Sequence, residues 1–350
     1  MKSKKYSENI IKVFKRDGFA LSEPDVLLDS DYIIQRSGEN FRKLMLTFED
    51  DTGKSMCLRP DLTVASCIKY LKDNSKANSK IFYSGQAYRR SNNLKDKVVN
   101  DQLGIEILGS KNKSTDDLKV LKTIASSIEK IKIKNTSIKV SDVSLFQKLI
   151  ESLTIPERWK MRLKRHFWRP QYFEDLLKRL ETNSDVDPTA VELDKKRFTE
   201  MKKFDQSKEI ASRKVSEILS RFDRKIKDPR SFAENKKSVQ IIREFLKINC
   251  PINQLEQTLK NFVKKNKLSN SIFKDLSTIK NLSKINSKTI FSTNFGRNIE
   301  YYTGIVFEIY NSSKKEIARG GRYDGLLKSL GSKKNISAVG AAINLNNLKT

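Results

Sequence analysis

Residues 296–325 read GRNIEYYTGIVFEIYNSSKKEIARGGRYDG, and the reading of this stretch decides the fold. Residues 301–310 are rich in aromatic and β-branched side chains, which predicts a strand. Residues 311–315 are a polar turn, and 316–319 return as the paired strand. Gly320 and Gly321 allow a tight bend. Asp324 is placed to start a short helix, and Gly331 to stop it. Alternation puts Tyr302, Gly304, Val306 and Glu308 on one face and Tyr301, Thr303, Ile305, Phe307 and Ile309 on the other. A face with a tyrosine, a glycine and a carboxylate, flanked by Arg297 and Glu300, can line a polar pocket. The same pattern also suits a core tyrosine with a bulge at Gly304.

Working outward, residues 44–49 and 55–58 form a hairpin around the turn DDTGK. Pro60 ends its second strand. A helical stripe of Val64, Ile68 and Leu71 follows, so Asp61 or Thr63 reads as an N-cap. A carboxylate and a hydroxyl two residues apart at such a switch can also receive an ammonium group. Residues 81–90 and 101–108 form the next hairpin, joined by about ten residues. Arg89, at the end of its first strand, is either a solvated cation or a planar fork for an anion. On the returning strand Gln102, Gly104 and Glu106 share a face, a polar shelf with room above it. A capping box at Ser114–Asp117 opens a helix carrying Leu121, Ile124 and Ile128. A strand at 136–140 and an amphipathic helix at 143–153 follow.

From 156 to about 284 the strand signals vanish. Charged helical stripes recur there, broken near Pro170, residues 183–188, Pro229 and Pro251, and their apolar residues at three-to-four spacing read as core or partner-facing. A strand at 289–293 leads back into the opening stretch.

The chain has 350 residues and 37% hydrophobic content, enough for a substantial core in one or two domains. No run of apolar residues is long enough for a membrane helix, and the basic N-terminus does not read as a signal peptide. Cys57, Cys67 and Cys250 have neither metal-ligand nor disulfide spacing, which fits a reducing cytoplasm. His166, the single histidine, makes a Ser-His-Asp apparatus or a histidine-rich metal site a poor fit and reads as a surface residue. With 70 Lys and Arg against 42 acidic residues the formal charge is +28. The cations are spread along the chain, which gives a diffuse field rather than a nucleic-acid site.

The pattern RxxxYYTGxVFE followed by ARGGRYDGL resembles the histidine-recognition segment of class II histidyl-tRNA synthetases and, equally, of their non-catalytic paralogue, the regulatory subunit of ATP phosphoribosyltransferase. LRPDLT resembles the family's LRPE-x-T element, with Asp for Glu. The hairpin ending in Arg89 resembles class II motif 2, and Gln102-x-Gly104-x-Glu106 follows it at the family's spacing. The resemblance implies an α+β fold, a class II synthetase-like antiparallel sheet core flanked by helices. The core would span 1–153 and 285–350 with a helical insertion at 154–284, and no C-terminal anticodon-binding domain is expected.

The resemblance also implies a histidine-type pocket of Asp61, Thr63, Arg89, Gln102, Glu106, Arg297, Tyr302 and Tyr323. Motif 3 departs from the synthetases: Asn346 and Asn347 replace its acid and arginine, and a neutral amide cannot supply charge at a developing phosphate anion. Ser91 stands in place of the motif 2 glutamate, and Lys95 to Asp101 lacks the family's basic run. The expectation is a regulatory subunit with no catalytic residues, no cofactor and no metal. It would pair with itself and with a short-form ATP phosphoribosyltransferase catalytic subunit, with histidine as effector and no nucleic acid or membrane. The alternatives are a divergent or truncated histidyl-tRNA synthetase and a tRNA-binding paralogue.

Overall fold

The computed structural model describes residues 2–37, 39–73, 78–90, 98–182, 188–210, 213–226, 232–273, 276, 279, 281, 285, 288–296 and 301–348. Its strands are β1 (Ala20–Leu21), β2 (Leu27–Asp29), β3 (Leu46–Glu49), β4 (Ser55–Leu58), β5 (Ser79–Tyr88), β6 (Val99–Leu108), β7 (Ser137–Asp142), β8 (Glu209–Ile210), β9 (Arg213–Lys214), β10 (Asn249–Pro251), β11 (Thr289–Ser292), β12 (Ile305–Tyr310), β13 (Glu316–Arg322) and β14 (Ala338–Asn344). The chain divides into two compact units, residues 1–144, 249–259 and 274–350, and residues 145–248 with 260–273.

The first unit is built on a nine-stranded sheet in the order β1-β5-β6-β14-β13-β12-β7-β11-β10. Two pairs, β1 with β5 and β11 with β7, are parallel, and the others are antiparallel. A small sheet in the order β2-β4-β3 stands apart. The helix Lys113–Lys130 packs on β14, β13 and β6, and the helix Leu62–Lys72 on β5 and β6. Leu103, Ile105 and Ile107, alternating with the polar shelf of β6, are fully buried.

Sequence and structure part company at identifiable places. Gly320 and Gly321 continue β13 instead of bending the chain. A side chain at Gly320 would strike the Ala341 methyl group and the Gly340 carbonyl, and one at Gly321 would strike the Tyr302 ring and the Ile305 carbonyl. These glycines therefore serve close strand packing, not a turn. The short helix Leu326–Ser329 begins after Gly325, not at Asp324. Gly331 follows it at φ +99, the left-handed stop that glycine makes cheap. The long helix at 113–130 is capped by Asn112, which accepts from the Thr115 N–H at 3.1 Å, in place of the box at Ser114. Helices Ser30–Ser37 and Glu39–Leu44 carried no signal that we read. The middle region is not free of strands: β8 pairs β9, and β10 joins the main sheet against β11.

Among the described residues the second unit is helical apart from the β8–β9 pair. Its core gathers Phe146, Phe167, Phe173, Phe245, Phe262 and Phe273, with Phe146 stacked on Phe167 at 3.8 Å between centroids. Arg243 ties Glu174 and Glu181, each at 2.8 Å. His166 is half-buried with its ring edge-on to Tyr172. Among the described residues no helix is long and apolar enough to cross a membrane.

Candidate functional site

β6 presents Gln102, Gly104 and Glu106, β14 presents Asn344, Ala342 and Gly340 in register with them, and β13 sets Arg319 and Gly321 opposite Ala342 and Gly340. Small residues thus pave the floor, and the longer side chains stand around it. A cavity of about 100 Å³ opens there, lined among others by Asp61, Thr63, Tyr83, Arg89, Gln102, Tyr301, Tyr302 and Tyr323.

Asp61 reaches it because β4 stops at Leu58, short of Pro60, and a helix starts at Leu62. Its Oδ1 accepts from the Val64 N–H at 3.1 Å as the N-cap, leaving Oδ2 3.4 Å from the Arg89 guanidinium and 3.5 Å from the Tyr301 hydroxyl. Arg89 is steadied by a hydrogen bond from Nε to the Pro60 carbonyl at 2.8 Å. A carboxylate and a guanidinium side by side at a cavity mouth match the two ends of an α-amino acid.

Glu106 lies under this pair with no exposed surface. The Thr63 hydroxyl donates to its Oε1 at 2.7 Å, the Tyr83 hydroxyl to the same oxygen at 3.3 Å, and the Tyr323 hydroxyl to Oε2. Burial pushes its carboxyl up to about 8, against the pull of the Tyr323, Thr63 and Tyr83 hydroxyls and with a smaller push from Asp61. A side chain at Gly340 would occupy the space of the Glu106 carboxylate, and one at Gly104 that of the Tyr83 ring.

Of the eight residues expected in the pocket, Asp61, Thr63, Arg89, Gln102, Tyr302 and Tyr323 line this cavity, and Glu106 is bonded beneath it. Arg297 and Glu300 lie outside the described residues, as do Ser91 and Lys95. Tyr301, assigned by alternation to the far face, also lines the cavity, because residues 301–304 precede β12 and do not obey its period. Gly304 makes room for the Arg322 side-chain stem, 3.2 Å from an added methyl, and does not line this cavity.

The sequence reading missed Tyr83, Glu316, Arg319 and Asn344, which share the wall. Hairpin register sets Tyr83 opposite Gly104, so counting back from the loop would have found it. Arg319 and Gly321 share a face once β13 is allowed to run through the glycines. Asn347 and Asn346, the amides that by resemblance replace the motif 3 arginine and acid, are spent on the backbone. Asn347 Nδ2 donates to the Glu316 carbonyl at 2.7 Å and Asn346 Nδ2 to the Val99 carbonyl at 3.1 Å. Among the described residues no group of three or more His, Cys, Asp or Glu could hold a metal ion.

A largely antiparallel sheet flanked by helices, with a two-stranded hairpin ending in Arg89 and a last strand running into Asn346 and Asn347, defines a class II aminoacyl-tRNA synthetase-like protein. The solved structure from Bacillus halodurans titled ATP phosphoribosyltransferase regulatory subunit/histidyl-tRNA synthetase superposes with TM-score 0.67 at 15% identity, covering 99% of this chain and 77% of that one. A family model described as histidyl-tRNA synthetase matches residues 1–227 and 208–348, and the chain belongs to that family. Within it, a relative from Allorhizobium ampelinum named ATP phosphoribosyltransferase regulatory subunit is 27% identical over an alignment that covers 96% of this chain and 94% of its own. One of the same name from Brucella ovis is 27% identical over 94% of this chain and 92% of its own.

Proposed function

We propose that this chain is the non-catalytic regulatory subunit of ATP phosphoribosyltransferase, the first enzyme of histidine biosynthesis, and that histidine is its effector. The observation that carries the reading is a division within one site. The amino-acid end is furnished, with Asp61 for the ammonium, Arg89 for the carboxylate, and Gln102, Glu106, Tyr302 and Tyr323 around the side chain. Arg297 belongs to this pocket by resemblance. The nucleotide end has amides tied to backbone carbonyls where activation needs a cation. The names of the Allorhizobium and Brucella relatives support the same conclusion.

The partner is then a short-form catalytic subunit in a cytoplasmic hetero-oligomer. This chain pairs with itself through its class II core, and histidine acts by binding one state of the assembly more tightly than another. The core would comprise 1–153 and 285–350, and 154–284 the insertion. The test is co-expression with the short-form catalytic subunit from the same source. The expected result is co-purification, phosphoribosyl transfer that depends on this chain, and inhibition by histidine that Arg89→Ala abolishes. Histidine-dependent pyrophosphate exchange by this chain alone would overturn the reading in favour of a synthetase.

A further inference from the structure

A second cavity, of about 340 Å³, opens beside the first over β13, β12 and β7. Strand register lays Arg319, Glu308 and Lys139 in one row across those three strands. Glu308 is the foundation of the row. It is 6% exposed, its Oε1 lies 2.5 Å from the Arg319 guanidinium, and the Tyr310 hydroxyl donates to Oε2. The charged groups at the cavity surface are the Lys139 ammonium, 5.1 Å from the centre of the Phe295 ring, and the pair of Glu316 and Arg319, bound at 2.6 Å. The side chains of Glu316 and Arg319 are each about one-third exposed, at 32% and 34%.

The wall therefore has a positive pole at Lys139 and a negative pole at Glu316, with Phe295 and Tyr302 as apolar sides. Arg319 is shared between Glu308 and Glu316, so the trio keeps a net negative charge that a phosphate would meet, and a bare cation would meet Lys139. An apolar molecule would strip water from both poles and return nothing. A zwitterion satisfies each pole with a charge-assisted hydrogen bond. We propose that this cavity is a second amino-acid site, with the ligand carboxylate on Lys139, its ammonium on Glu316 and its side chain against Phe295 and Tyr302. Tyr302, Glu316 and Arg319 wall both cavities, so filling one fixes walls of the other and couples the two sites. Only the coupling rests on the reading of the smaller cavity as a histidine pocket.

Equilibrium dialysis of the full chain against L-histidine, followed by each other L-amino acid added singly to the histidine-saturated protein, tests this. The expected result is two equivalents of amino acid per chain. Lys139→Met weakens one equivalent at least tenfold and leaves the other within twofold, Lys139→Arg restores it, and Arg89→Ala removes the other. Saturation at one equivalent with every amino acid, or a second equivalent undiminished in Lys139→Met, overturns the proposal. If Lys139-dependent binding remains but no Arg89-dependent equivalent exists, the histidine-pocket reading fails and the second site stands.

Discussion

Glu106 has exchanged all of its water for three hydroxyls, and the exchange falls short. Its carboxyl ordinarily titrates at 4.5 and here does so at about 8. Between those values the folded chain holds a proton that the unfolded chain has released. The stability this group contributes is complete below about pH 4.5 and is lost as pH rises towards 8, with a slope of up to about 1.4 kcal/mol per pH unit. Glu106→Gln keeps the shape and removes the ionisation. The expected outcome is that the difference in Tm between variant and wild type grows in the variant's favour from pH 5 to pH 8, read by thermal melts across that range. A constant difference would place the titration in another group. The shelf that holds Glu106 was legible because alternation needs only a hairpin and a register. Arg319 was not, because adjacent glycines in ARGGR mimic a turn, and only the neighbouring Ala341, Gly340 and Tyr302 reveal that they are packing contacts.

At the scale of elements, Asp61 performs two tasks with its two oxygens, capping the helix Leu62–Lys72 and facing Arg89. Asn can cap almost as well as Asp but carries no charge. Asp61→Asn is therefore expected to keep the wild-type Tm within a degree or two while histidine binding by calorimetry weakens at least tenfold. Asp61→Ala should lose the binding and about 1 kcal/mol of stability as well. The β14 glycine gives a complementary test. Gly340→Ala sets a methyl group against the buried Glu106 carboxylate, so an overpacking cost of about 1–3 kcal/mol is expected as a lower urea midpoint with an unchanged slope. An unchanged midpoint would mean that β6 and β14 give way. Elements with local chemistry were legible: the turn at 50–54, the strand end before Pro60, and the break near Pro170, which the structure uses as the first residue of a helix. Those defined by distant partners were not. β10 is three residues ending in proline, with no period to read, and it exists as a strand because β11 is there to pair with it.

For the molecule as a whole, the proposed self-association through the class II core would have a physical cost and a visible means. The cost is a net charge of +28 on each chain, which repels a second copy over about a Debye length, 8–10 Å at moderate salt. The means is an apolar margin of the first unit: Leu21, Val26, Leu27, Leu44 and Phe48 are 57%, 41%, 50%, 39% and 42% exposed. Leu27 belongs to β2 and Phe48 to β3, the two outer strands of the small sheet. Outer strands with exposed apolar side chains invite pairing with another chain unless something covers them. Phe48→Glu adds a charge at that margin, and sedimentation at micromolar concentration is expected to show dimer mass falling to monomer mass. Phe204→Glu, at a 53% exposed position in the other unit, should leave the mass unchanged. Because the opposing force is electrostatic and the favourable one is not, dimer affinity in the wild-type chain should rise several-fold between 50 and 300 mM salt. An affinity that falls instead would show that ion pairs, not the apolar margin, hold the two copies together.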